Sequence, residues 1–226
     1  MIPWKLIDTA DVPGGGAQLR LMQRGEEFTI KLGQNELMSS RLFGSEEALA
    51  TLSCFRIQER QAPHLLIGGL GMGFTLRAAL KVLGPQARVT VAELVPAVIA
   101  WARGPMAELS GGSLDDPRVT IREADVGSVI AAGRSDYDAI LLDVDNGPEG
   151  LTRTSNDALY DLAGLRAAFT ALRPGGVLAV WSSHPHETFA ARLRQAGFVA
   201  EEINIRATGK RRGVRHVIWI ATRPAN

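Results

Sequence analysis

The sequence predicts an α/β fold: a mostly parallel, seven-stranded sheet covered by helices, closed by an antiparallel hairpin and preceded by a small β-rich piece. Three observations predict it. Between His64 and Ala196, short apolar runs alternate with segments of helical period, the pattern of a parallel sheet covered on both faces. The last two extended runs, Phe198–Ala207 and Val214–Thr222, are joined directly through Thr208–Gly213 and read as a hairpin. The first 44 residues read as turns and short extended runs.

In chain order, residues 1–16 contain Pro3, Pro13 and Gly14-Gly15-Gly16 and predict an irregular arm. Ala17–Gln23 and Glu27–Leu32 predict two strands around the turn Arg24-Gly25-Glu26. Glu36–Ser39 follows the turn Gly33-Gln34-Asn35 as a third short strand. Residues 1–44 are expected to be a small β-rich segment and 45–226 the main domain. Ser45 is a candidate N-cap for a helix over Glu46–Phe55, whose first-turn acids suit the helix dipole.

The main domain then alternates. Strand Leu65–Ile67 leads to helix Thr75–Leu83, and strand Val89–Ala92 to helix Pro96–Met106, with its proline near the start. Strand Val119–Arg122 leads to a short helix Val126–Ala132. Strand Tyr137–Leu142 is followed by a loop and helix Asp157–Leu172, stopped at Arg173-Pro174-Gly175-Gly176. Strand Val177–Ser182 and helix His186–Ala196 complete the set.

Composition bounds the function classes. The chain has 226 residues, 46% hydrophobic and 22% charged, as in ordinary globular proteins. A net charge of +1 gives no support to nucleic-acid binding. Cys54 is the single cysteine, so no internal disulfide or cysteine-based zinc site forms. No apolar run approaches the ~20 residues of a membrane span. A cytoplasmic protein with a small-molecule substrate, and without nucleic-acid or membrane partners, is expected.

The chemistry concentrates where strands end. Leu65–Ile67 runs into Gly69, Gly71 and Gly73, and a helical pattern follows. Glycines let the backbone turn sharply and approach a ligand, and the next helix offers unpaired N–H groups. The next strand ends at Glu93, followed by Leu94, where a carboxylate can accept from ribose hydroxyls. The third ends near Asp125 and Val126, placed to meet adenine; Asp125 equally suits a helix cap. The fourth, wholly apolar, ends at Asp143, with Asp145 and Asn146 beyond. One glycine loop with three acidic strand ends describes a pocket for a nucleoside carrying a cationic centre. Such a pocket repels a pyrophosphate and favours S-adenosylmethionine, whose sulfonium is positive. His184-Pro185-His186-Glu187 has metal-ligand types, but Pro185 breaks the geometry, and no metal is expected. Lys210-Arg211-Arg212, with Arg215 and His216, reads as a solvated basic hairpin tip.

At these residues the sequence resembles the spermidine synthase family, a branch of the Rossmann-like class I methyltransferase fold. The resemblance rests on Gly69-Leu70-Gly71-Met72-Gly73-Phe74-Thr75-Leu76-Arg77, Val91-Ala92-Glu93-Leu94, Asp116-Pro117-Arg118-Val119, Asp125, Tyr137–Asp143 and Leu172–Leu178. It implies an S-adenosylmethionine-binding domain over 45–226, with Asp143 on the position of the catalytic aspartate. Gly69, Gly71, Gly73, Glu93, Leu94, Asp125 and Val126 would be cofactor-binding. The amine half departs from the family. The acid of the glycine loop is replaced by Met72, and the second acid of the family's DSSD motif falls on Asn146, beside Asp145. Of its YHE segment only Glu47 is kept, and its polyamine-side glutamine falls near Glu36. Met72, Asp145, Asn146, Glu36 and Glu47 are therefore the candidate substrate residues.

The leading expectation is methyl transfer from S-adenosylmethionine to a small acceptor. The first alternative is aminopropyl transfer from decarboxylated S-adenosylmethionine to a polyamine. The second is a nucleoside-binding protein without catalysis. The resemblance also implies a homodimer.

Overall fold

The structure, a computed structural model, describes residues 2–14, 18–144, 147, 154–206 and 215–225, with backbone alone at 154–156. Asp145, Asn146 and the basic tip Lys210-Arg211-Arg212 lie outside the described residues.

The chain opens with four strands, β1 (Lys5–Asp11), β2 (Gln18–Arg24), β3 (Glu27–Leu32) and β4 (Asn35–Ser39), in an antiparallel sheet of that order. The irregular arm expected over residues 1–16 is thus largely a strand. Its prolines, Pro3 and Pro13, fall just outside β1, so they punctuate the strand without entering its ladder.

Helix α1 (Gly44–Arg56) follows. Ser45 is not its cap: Phe43 holds that position with no side-chain hydrogen bond, and Ser45 is buried in the first turn. The main domain then runs β5 (His64–Gly68), α2 (Phe74–Val82), β6 (Arg88–Glu93), α3 (Pro96–Arg103) and α4 (Ala107–Ser110). The single helix expected over Pro96–Met106 breaks after Arg103, where Gly104 and Pro105 cannot carry it on. Next come β7 (Val119–Glu123), α5 (Val126–Ala132), β8 (Tyr137–Leu142), α6 (Thr154–Tyr160) and α7 (Leu162–Ala171). The expected helix Asp157–Leu172 is two helices, because Asp161 caps α7 by accepting from the Gly164 N–H at 2.7 Å. Strand β9 (Leu172–Ser182) absorbs the residues expected to form a stop and turn. Helix α8 (Phe189–Gln195), shorter than expected, and the hairpin β10 (Val199–Arg206) and β11 (Arg215–Thr222) end the fold.

The seven-stranded sheet has the order β10-β11-β9-β8-β5-β6-β7. Strands β9, β8, β5, β6 and β7 are parallel; β11 and β10 are antiparallel, as expected. Side-chain alternation splits its strands between two cores. Leu65, Ile67, Val91, Leu141 and Ile218 face α1, α2, α3 and the N-terminal sheet. Leu66, Ile140, Leu142, Leu178 and Trp219 face α5, α7 and α8. Burial on both faces explains the continuous apolar reading of β8 and β9. The chain leaves β5 toward β6 on one side, while β8 lies on the other. The crevice between the carboxyl ends of β5 and β8 is where an open sheet of this kind binds ligands.

Candidate functional site

A cavity of about 380 Å³ occupies that crevice, roofed by the N-terminal sheet. Its floor is the glycine loop. Gly69 has φ +88°, and a Cβ there would collide with the Asp143 carbonyl oxygen, so only glycine lets the loop after β5 pass the end of β8. The Asp143 N–H donates to the Gly68 carbonyl at 3.0 Å, tying the two strand ends together.

Glu93 ends β6 and is buried. Its carboxylate accepts from the Leu70 N–H at 2.8 Å and the Val95 N–H at 2.9 Å, so it holds the glycine loop in shape. Burial pushes its pKa up, against these backbone bonds. Leu94, Asp125 and Val126 also line the cavity. Asp125 does cap α5, accepting from the Ser128 N–H at 2.9 Å. The cap and the cavity wall are served by one carboxylate.

Asp143 is the centre of the other half. Its Oδ2 accepts from the Thr75 hydroxyl at 2.6 Å. Burial raises its pKa to about 6, against that hydrogen bond. Glu46, from the first turn of α1, lines the same cavity and is also buried. Burial, and then the Asp143 charge, raise Glu46 to about 7. Glu36 reaches the cavity from β4, its Oε2 accepting from the Thr29 hydroxyl at 3.0 Å.

Three expected residues sit elsewhere. The Met72 side chain is fully buried in the core and does not line the cavity. Met38 does, lying against Gly71 and accepting from the Met72 N–H at 3.2 Å. Gly73 packs against Ser110 behind the loop, with φ +81° ahead of α2. Glu47 turns away to pair with Arg77 at 3.1 Å. Its neighbour Glu46 takes the place expected of it. The pattern Ser45, Glu46, Leu49, Ala50, Ser53 on the buried face of α1 carried that signal.

His216, expected in the solvated hairpin tip, is instead part of β11 and lines the cavity. It lies at the start of β11, which runs antiparallel to β9, so it reaches the cavity beside Trp181 and Ser183. The His216 and Trp181 rings meet edge to face at 4.7 Å. Alternation with Ile218 and Ile220 put it on the cavity face of the sheet. Among the described residues no group of three or more His, Cys, Asp or Glu is arranged to hold a metal ion. No described helix is long and apolar enough to cross a membrane.

The spermine/spermidine synthase domain matches residues 42–195. The chain belongs to that family. Its relatives include polyamine aminopropyltransferase 1 of Streptomyces coelicolor, 34% identical over 154 residues, covering 63% of this chain and 28% of that protein. The polyamine aminopropyltransferase of Mycobacterium tuberculosis is 32% identical over 154 residues, covering 64% and 28%. The chain therefore spans less than a third of the length of these relatives. Among solved structures, spermidine synthase from Thermotoga maritima superposes with a TM-score of 0.77 at 21% identity, over 98% of this chain and 74% of that one. A spermidine synthase in complex with the transition-state analogue AdoDATO gives 0.76 at 20%, over 98% and 73%. The chain thus has a spermidine-synthase-like Rossmann fold.

Proposed function

We propose that this protein is an aminopropyltransferase, moving a 3-aminopropyl group from decarboxylated S-adenosylmethionine to a primary amine of a di- or polyamine. One observation carries the reading: five carboxylates (Glu36, Glu46, Glu93, Asp125 and Asp143) line one cavity, and no Lys or Arg is among its described lining residues. That donor set suits a nucleoside with a sulfonium and an ammonium, together with a cationic acceptor. A cofactor retaining its carboxylate would place a further negative charge among these acids without a cationic side chain to meet it. The acid-lined cavity and the relatives' polyamine aminopropyltransferase activity together favour aminopropyl over methyl transfer.

Glu93 would hold the ribose hydroxyls, with Asp125 and Val126 beside the base. The bound sulfonium supplies an electrophilic carbon and a neutral thioether leaving group. Asp143 orients the acceptor nitrogen and draws off its proton, so that the lone pair faces that carbon. Glu36, at the β4 side, stands where a distal ammonium would be met. Leu42, Val95 and Trp181 give the walls apolar patches suited to an alkyl chain.

The test is product mass. Incubation with decarboxylated S-adenosylmethionine and putrescine is expected to yield 5′-methylthioadenosine and spermidine. Production of S-adenosylhomocysteine from the undecarboxylated cofactor, with no methylthioadenosine from the other, would overturn the proposal.

A further inference from the structure

Amine alkylation releases a proton into a cavity already crowded with carboxylates, and the fold supplies a path for it. Ser45 is fully buried, yet its one hydroxyl stands 2.6 Å from Glu46 Oε2 and 2.8 Å from His216 Nδ1. A single O–H cannot donate to both neighbours, so one of them must donate to Ser45 Oγ. In one arrangement His216 Nδ1–H donates to Ser45, which donates to the Glu46 carboxylate. In the other, protonated Glu46 donates to Ser45, which donates to His216 Nδ1. The chain of three groups therefore has two states that differ by the transfer of one proton across Ser45.

We propose that Glu46, Ser45 and His216 form a proton relay that carries the acceptor amine's proton from the Asp143 side of the cavity to the His216 ring and on to solvent. The proposal rests on the aminopropyl-transfer reading. The balance is complete without a further reactant. The nitrogen–carbon bond forms, the carbon–sulfur bond breaks with its electron pair moving to sulfur, and the amine proton passes by way of Asp143 to Glu46. Glu46 then gives a proton to Ser45 Oγ as Ser45 gives its own to His216 Nδ1, and His216 releases one from Nε2.

The surroundings favour transit over trapping. Glu46 is faced by Asp143 and, on its own helix, by Glu47. His216 is faced by His184, and burial, then that neighbouring ring, lower its pKa. Glu36, Glu93 and Asp125 complete the titratable lining. An imidazole that holds a proton weakly passes it on. His216 remains partly exposed, where Ser45 and Glu46 are buried.

Two measurements test the relay. The first needs no turnover: ring ¹⁵N spectra of His216 across pH, in the wild type and in Glu46→Gln. The relay predicts that the variant moves the His216 midpoint or its tautomer ratio, and that Ser45→Ala removes this dependence on Glu46. A His216 titration indifferent to Glu46 would overturn it. The second is the rate of methylthioadenosine formation. His216→Ala is expected to lower kcat by roughly 10²-fold, the usual scale for a proton-transfer group, with KM little changed, and added imidazole is expected to restore it. A kcat unchanged, or a loss that imidazole leaves untouched in a variant with wild-type circular dichroism, would sink the relay while leaving aminopropyl transfer standing. If the wild type itself forms no methylthioadenosine, the functional reading fails, and the spectra still decide whether the three groups are coupled.

Discussion

The two halves of the cavity are built differently. The half proposed to hold the nucleoside comes from one β-α-β unit, β5-α2-β6, and the start of α5. Its acids are engaged with backbone N–H groups: Glu93 with Leu70 and Val95, Asp125 with Ser128. The amine half is assembled from four distant regions: β4, the first turn of α1, the end of β8 and the start of β11. Its acids meet hydroxyls, Thr75 at Asp143 and Ser45 at Glu46, and the Asp143 charge raises the pKa of Glu46. A carboxylate pinned by amides is a fixed acceptor. A carboxyl paired with a second carboxyl and a hydroxyl can change its protonation state during a reaction. The first half is suited to holding and the second to chemistry.

Substitutions can separate the halves. The largest effect is expected from Asp143→Asn. Loss of the carboxylate proposed to orient the amine and accept its proton should lower kcat about 10³-fold, while calorimetry with methylthioadenosine should show near-wild-type affinity. A comparable loss of nucleoside affinity would break the division. Gly69→Ala is expected to damage both halves at once. Its φ of +88° and the collision with the Asp143 carbonyl should cost about 3 kcal/mol of stability in chemical denaturation. Glu93→Gln should weaken methylthioadenosine binding roughly tenfold, worth about 1.4 kcal/mol, and leave the pH dependence of kcat in place.

The remaining effect concerns Glu46 and works in the opposite direction, toward greater stability. Its folded-state pKa of about 7 lies above the ordinary 4.5. The protonated form therefore folds more favourably than the charged one. This group's contribution is fully present below about pH 4.5 and is lost as pH rises through about 7. Glu46→Gln should accordingly raise the melting temperature at pH 8 by about 5 °C, corresponding to about 2 kcal/mol, with little change at pH 4.5. A drop at pH 8 would show that the charged pair stabilises the fold.

Legibility in the sequence followed the same division. The glycines, Glu93 and Asp125 stand within one stretch whose strand-loop-helix period is local, and the sheet order follows from alternation of elements. The amine half depends on contacts between residues far apart. Glu46 and Glu47 differ by one helical step of about 100°, and only the packing of α1 on the sheet decides which faces Asp143. Met38 takes the place expected of Met72 for a similar reason: the loop backbone turns the Met72 side chain into the core, and β4 brings Met38 over Gly71. His216 gains its position from the register of β11 against β9, with Val217 opposite Ser182. The break at Asp161 and the strand in residues 5–11 were missed because a capping aspartate and flanking prolines were read as belonging to the element instead of bounding it.

The bond between Ser45 and His216 joins positions 171 residues apart. Helix α1 rests on β9, β10 and β11, so it has no complete floor until the final hairpin is in place. During synthesis, residues 64–123 can pair and cover their glycine loop while that hairpin is still unmade. The nucleoside-holding surface would then mature early, and the proton-handling surface only as the last strand docks. Closing so long a loop slows assembly. On the proposed reaction it also makes catalytic competence a readout of complete folding: a chain halted before β11 would keep the surface proposed to grip a nucleoside, yet lack the histidine of the proposed relay.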